Sequence, residues 1–294
     1  MFDLRYHVAS LAAVFLALII GILVGAGLAT RTDVEGSERR VLQDRIEELQ
    51  QRNDDVVAQT DLLRRQREAG ENYVANTYPA LMNGRLRGKR VALLFTGQPD
   101  DGVLDAVEQT LQDASGPSVV EREAFELPID PDQVMDALEP QFQGLTMDEV
   151  GRRLGEELVA GGETPFWDAL IPVLVQDHRG DPSTESDAVV VAHTGVATDA
   201  PTRMFFDGLY AGLAGSGVPV VGIERTDQRP SRIPVYKAND VSSVDSMDTQ
   251  IGKLALALLL AGGAEGHYGL KASAEDGTLP VPVEPLPLAP LPGG

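Results

Sequence analysis

No cysteine occurs in these 294 residues, and lysine is scarce, with four against twenty arginines. The first absence excludes disulfides, Cys-based zinc sites and thiol catalysis together; a chain outside the cytoplasm loses nothing by it. We read the second as base-composition bias of the genome. Basic residues are outnumbered overall, leaving a formal net charge of −21. Nucleic acid and anionic lipid surfaces are therefore poor partners, since phosphate recognition needs clustered Lys and Arg. There is no Walker loop and no Gly-x-Ser-x-Gly elbow; Gly215-Ser216-Gly217 reads as a turn after a helix. Copper sites are built from Cys, Met or His at short spacings. Here no His pair lies within helical reach, and six Met are scattered from Met1 to Met247, so the residues mark no metal site.

What the chain does have is one long apolar run. Val8 to Leu28 passes twenty-one residues without a charge. As a helix it covers roughly 30 Å, the thickness of a bilayer's hydrocarbon core. A cleavable signal peptide would have a shorter apolar core, although Gly27-Leu28-Ala29 is a tolerable cleavage site. Small residues recur every fourth position, Ala9, Ala13, Ala17, Gly21, Gly25 and Ala29. That spacing lets two helix backbones approach closely in lipid. Arg5 and His7 precede the span, and Arg31, Arg39 and Arg40 follow it, interleaved with Asp33, Glu35 and Glu38. Charge alone does not orient the chain. We expect a single-pass cell-membrane protein with a short cytoplasmic tail and the bulk of the chain extracytoplasmic.

From Glu38 to about Glu71 the apolar residues take a heptad register. Leu42, Leu49, Val56 and Leu63 form a clean d column, while Ile46, Asn53, Thr60 and Arg67 form a weak a column. A lone Asn at a is a device for fixing a parallel two-stranded register. The alternative is one amphipathic helix lying on the globular domain. The neighbouring membrane helix favours the coiled coil, so the expected homodimer interface is Gly21, Gly25, Leu42, Ile46, Leu49, Asn53, Val56 and Leu63. A stalk of about 33 residues would reach roughly 50 Å.

Beyond Arg85 the pattern becomes α/β. Lys89 to Phe95 is an apolar run suited to a strand buried on both faces, followed by a helix face at Val103, Leu104, Val107 and Leu111. Further strands are expected at Ser118 to Phe125, Asp187 to Ala192, Val218 to Ile223 and, more weakly, Ile233 to Lys237. Helices are expected from Thr198 to Leu213 and from Ile251 to Leu260. Between the second and third strands a helical insertion starts at Asp130-Pro131, Thr146-x-x-Glu149 and Thr164-Pro165. It could carry partner contacts, but covering the sheet is the simpler role. The predicted organisation is a tail and anchor over residues 1–30, a coiled-coil stalk over 31–84, a mostly parallel α/β domain over 85–271, and a Pro-rich disordered tail over 272–294.

Two features bear on ligands. The first strand-to-helix turn, Thr96 to Gly102, puts Asp100 and Asp101 where a nucleotide phosphate would have to lie. His193 falls at the carboxyl end of a predicted strand with Asp199 a few residues on, although a lone His there is more often a structural residue.

Leu4-Arg5-Tyr6-His7-Val8-Ala9-Ser10-Leu11-Ala12-Ala13-Val14-Phe15-Leu16-Ala17-Leu18 resembles the N-terminus of the MctB-type copper transport proteins of actinobacteria. Ser243 to Asp248, Gly252-Lys253 and Gly266-His267-Tyr268-Gly269 resemble that family's closing block. The resemblance implies a single-span envelope protein with a coiled coil and an α/β domain, associated with copper efflux and carrying an outer-membrane channel assignment. Copper as a ligand is implied by it alone, and no catalytic or metal residue carries over. The family is also similar to SteB-like division proteins, implying an envelope partner such as a peptidoglycan hydrolase. One apolar helix and buried-type strands do not make a barrel pore. The expectation is a non-enzymatic, membrane-anchored homodimer without nucleic-acid partners.

Overall fold

The computed structural model describes residues 4–116, 119–181, 183–195 and 199–281, with the side chains of 4–5 and 28–39 left aside. Ser118, Thr198 and the tail after residue 281 lie outside the described residues. The chain divides into two compact units, Met1–Glu71 and Asn72–Gly294.

The first unit is helical. Helix α1, Leu4–Met82, runs without a break through both the apolar stretch and the heptad stretch. Tyr6–Gly27 is the one helix segment among the described residues that is long and apolar enough to cross a membrane, and none of it is buried. The exposed polar face carries intrahelical pairs such as Arg52–Glu48 and Arg67–Glu71, each worth a few tenths of a kcal/mol.

In the second unit the last turns of α1 are already part of a core. Tyr78 and Met82 are buried, and the Tyr78 hydroxyl donates to Asp113 Oδ2 at 2.9 Å. Seven strands follow: β1 Val91–Phe95, β2 Glu121–Phe125, β3 Val175–Gly180, β4 Ala188–Ala192, β5 Val220–Ile223, β6 Ser242–Val244 and β7 His267–Tyr268. They form one open sheet in the order β3-β2-β1-β4-β5-β6-β7, parallel except where β3 joins β2. Burial of every residue of β1, β2, β4 and β5 follows from helices on both faces.

Alternation along the strands divides the core. Val91, Leu93, Phe95, Val190, Val221 and Val244 face the end of α1, α2 (Asp101–Asp113) and α8 (Gln250–Leu260). Ala92, Leu94, Val189 and Val191 face α3 (Pro131–Ala137), α4 (Met147–Ala160), α5 (Pro165–Leu174), α6 (Ala200–Gly215) and α7 (Ile233–Ala238). The insertion therefore covers the second face of the sheet.

Its helix starts lie where the sequence put them. Asp130 accepts from the Asp132 and Gln133 amides, and Glu149 accepts from the Thr146 amide and hydroxyl. Thr164 makes no side-chain cap for α5; Glu157 reaches across from α4 to accept from the Phe166 and Trp167 amides.

One assignment is corrected. Ile233–Lys237 is not a strand but the body of α7, with Pro234 in its first turn, where proline's missing N–H is harmless. The strand lies further on, at Ser242–Val244. β3, VQDHRG, was not foreseen: as an antiparallel edge strand it is largely exposed and has no apolar run.

Candidate functional site

In an open parallel sheet ligands bind beyond the strand carboxyl ends, where the strand order reverses. Here that point lies between β1 and β4, since β2 flanks β1 on the other side. It is shut. The Gly195 amide donates to Thr96 O at 2.7 Å, and a Cβ on Gly97 would lie 2.5 Å from Gly195 N. The two loops touch backbone to backbone at Gly97 and Gly195. Asp100 takes up the N-terminus of α2 as well, accepting from the Val103 amide at 2.9 Å.

Further along this edge the side chains are tied to one another. Glu224, after β5, is buried; its carboxylate accepts from Ser231 Oγ, from the Arg232 amide and from Lys271 Nζ at 2.6 Å. Asp245, after β6, is buried and accepts from the Leu270 and Lys271 amides. Gly269, at φ +148°, passes so close to Asp245 that no side chain would fit. The closing block of the sequence thus works as a clamp that carries Lys271 to Glu224. His267 pairs with Ser243 Oγ at 2.8 Å, its pKa lowered by burial, and the Tyr268 hydroxyl donates to Ala264 O.

His193, after β4, is held on both sides. Its amide donates to Tyr236 Oη, and its carbonyl accepts from Gln228 Nε2. Tyr236 in turn donates to Val191 O, and its ring lies over Gly222, where a Cβ would collide with it. His193 is 7 % exposed; its Nδ1 is 3.3 Å from the Tyr210 hydroxyl, and Phe206 stands edge-on to the ring with centroids 6.5 Å apart. Burial first, and then the Arg232 charge, push its pKa down to about 4. Asp199 does not pair with it: that carboxylate caps α6, accepting from the Thr202 amide at 2.8 Å. Beside the ring, between α6 and α7, lies a cavity of about 350 Å³.

The sequence showed His193 but not its partners. Tyr210 lies in an expected helix and Tyr236 in a segment read as a weak strand, neither with any sign of a polar role, and Glu224 and Lys271 are 47 residues apart. Among the described residues no three His, Cys, Asp or Glu side chains come together to hold a metal ion.

The expected dimer residues all lie on α1. Gly21, Gly25, Leu42, Ile46, Leu49, Asn53, Val56 and Leu63 are exposed, with Leu42 and Leu49 each 61 % exposed.

Proteins named "Copper transporter MctB" from Mycobacterium bovis and from two strains of Mycobacterium tuberculosis are each 26 % identical to this chain over 309 residues. The match covers 92 % of this chain and 96 % of each relative. The family described as "Copper transport outer membrane protein, MctB" matches residues 1–279. With nearly the whole length matched, one apolar helix at the N-terminus and a mostly parallel α/β sheet behind it, the chain belongs to the MctB family.

Proposed function

We propose that this chain is a non-catalytic, membrane-anchored homodimer of the cell envelope that serves copper homeostasis by presenting its α/β domain to an envelope partner. It crosses the bilayer once, through Val8 to Leu28, with the domain outside the cytoplasm. The observation that carries the reading is the exposed apolar column Leu42, Leu49, Val56 and Leu63 on α1. Four such side chains in heptad register gain roughly 1.5 to 3 kcal/mol each on full burial, and a second copy in parallel register buries them all. Gly21 and Gly25 continue the same approach inside the membrane, where a Cβ at either position would meet nothing within 4 Å in the single chain.

Copper comes to this reading from the family. A pore is disfavoured physically: the described strands form an open sheet covered on both faces, and two single spans enclose no channel. The role in copper is then indirect, through the partner or the envelope.

Because the chain has no cysteine, Val56→Cys in the full-length protein in membranes gives a clean assay. Mild oxidation is expected to yield an intermolecular disulfide, whereas monomers with no cross-link would refute the dimer. Copper titration against a competing chelator is expected to show nothing tighter than micromolar. A stoichiometric nanomolar site lost on His193→Ala or His267→Ala would replace the indirect role with direct copper handling. Division or wall defects in a deletion strain without added copper would identify the partner as a division protein such as a peptidoglycan hydrolase.

A further inference from the structure

Strand β3 lies beside two buried acids. It is the outermost strand on its side of the sheet, it is largely exposed, and no strand among the described residues pairs with its outer edge. Its neighbour β2 carries Glu121 and Glu123 at alternate positions, so both side chains point to the face that Phe125 shares with α3 to α7. Neither residue is exposed, and both oxygens of Glu121 and one of Glu123 lack a hydrogen-bond partner among the described residues. A charge buried without a partner is costly, so carboxyls in such a place keep a proton.

The neighbouring elements do little to neutralise them. On β1, Ala92 and Leu94 stand opposite the two glutamates and bring no charge. On the helices of the same face, Glu157 is taken up by the Phe166 and Trp167 amides, and Asp168 is exposed. The charged groups that act on the pair come from β3 and the residue after it. His178 meets Glu123 through Nδ1. Asp177, held by Arg122 at 2.6 Å, adds a like charge near Glu123, and Asp181 adds one near Glu121. Gly180, at φ +118°, presses β3 against β2 so closely that a Cβ would lie 2.5 Å from Val120 O. The exposed edge strand is therefore the piece whose departure would give both carboxyls water, while β1, β4 and β5 keep their own pairing.

We propose that β3 is a proton-operated latch: with the Glu121 and Glu123 pair protonated it lies closed on β2, and as the pair loses protons with rising pH it opens locally, uncovering the hydrogen-bonding edge of β2 while the rest of the sheet stays folded. The sign follows from linkage. In the open strand both carboxyls are solvated and titrate at about pH 4. In the closed strand burial holds them higher, Glu121 at about 7 and Glu123 at about 9. Opening releases protons, so its equilibrium constant rises with pH across that interval. His178 does not cancel the effect, because a neutral imidazole gives Glu123 a hydrogen bond but no charge.

The latch belongs to the α/β domain alone and stands or falls separately from the dimer. The test is amide hydrogen exchange read by mass spectrometry on the full-length chain in lipid nanodiscs at pH 6 and pH 8.5, with rates corrected for the pH dependence of the chemical step. Peptides over β3 are compared with peptides over β5, which reports opening of the whole sheet. Protection of β3 is expected to fall by at least about tenfold relative to β5 between the two pH values. In the double variant Glu121→Gln, Glu123→Gln, which keeps the neutral shape at every pH, β3 is expected to change by no more than about twofold. Circular dichroism reports the fold, and if the double variant does not fold, Glu123→Gln alone carries the comparison, with a smaller decline than the unsubstituted chain expected. Equal loss of protection in β3 and β5, no loss in β3 at pH 8.5, or the same decline in a folded glutamine variant would each overturn the proposal.

Discussion

Among the buried residues, the unusual ones are Glu121 and Glu123 on β2. Both are fully buried on one face of the strand, and three of their four carboxylate oxygens have no hydrogen-bond partner; the fourth is engaged by His178 from β3. Burial, then the neighbouring Glu121, pushes Glu123 up to about 9, and burial pushes Glu121 up to about 7. A carboxyl whose pKa is raised on folding contributes stability that is complete below its unfolded value and is lost as pH rises through its folded value. Stability should therefore fall between about pH 5 and pH 9. Glu123→Gln, which keeps the neutral shape, should flatten that decline and raise Tm at pH 8.5 by at least about 2 °C. An unchanged pH profile would refute the upward shift of this buried pair. Lys271 matters through its ion pair. It is the buried cation on Glu224, so Lys271→Met leaves that carboxylate uncompensated and should destabilise by about 3 to 5 kcal/mol in denaturant titration.

At the scale of elements, α4 and α6 pack with almost no space between their backbones. Each carries glycines four apart, Gly151 and Gly155 on one, Gly208 and Gly212 on the other, and a Cβ at any of them would lie under 3.0 Å from backbone of the facing helix. Gly208→Ala should lower the midpoint of urea unfolding, at a cost of about 1 to 3 kcal/mol for overpacking. Gly215→Ala, at the open end of the same helix where a Cβ meets nothing within 4 Å, should be neutral or stabilise by up to about 1 kcal/mol. Equal effects would show that helix propensity, not the close crossing, governs these positions. The same spacing occurs at Gly21 and Gly25 on α1, where the sequence drew attention to it, but the α4–α6 glycines went unnoticed. In an apolar run small residues stand out, whereas in a mixed helix their purpose depends on which helix lies opposite. α7 was misread for a related reason: six residues are too few for helical periodicity to distinguish itself from a short apolar strand.

For the whole molecule, the Gly97–Gly195 contact closes the two loops at the switch point on each other, and no nucleotide is expected to bind there. Thermal unfolding of the full chain with ATP, GTP, NAD or FAD at sub-millimolar concentration should be flat; a rise of several degrees would mean that the Gly97–Gly195 contact opens, since a ligand of the folded state must stabilise it. Much of this architecture was legible in advance. The apolar run, the buried strands β1, β4 and β5, and the helix starts at Asp130 and Thr146 depend on periodicity and capping, which are local and can be read along the chain. The sequence by itself determined an apolar helix long enough to span a membrane, a mostly parallel α/β domain behind it and the exclusion of cysteine chemistry. Only the tertiary structure decided that the first turn closes on Gly195, that Lys271 neutralises Glu224, that Glu121 and Glu123 lie buried side by side, and that His193 borders a cavity with Arg232. Those outcomes depend on residues far apart in the chain and on which face a strand or helix finally buries, and no local pattern encodes either.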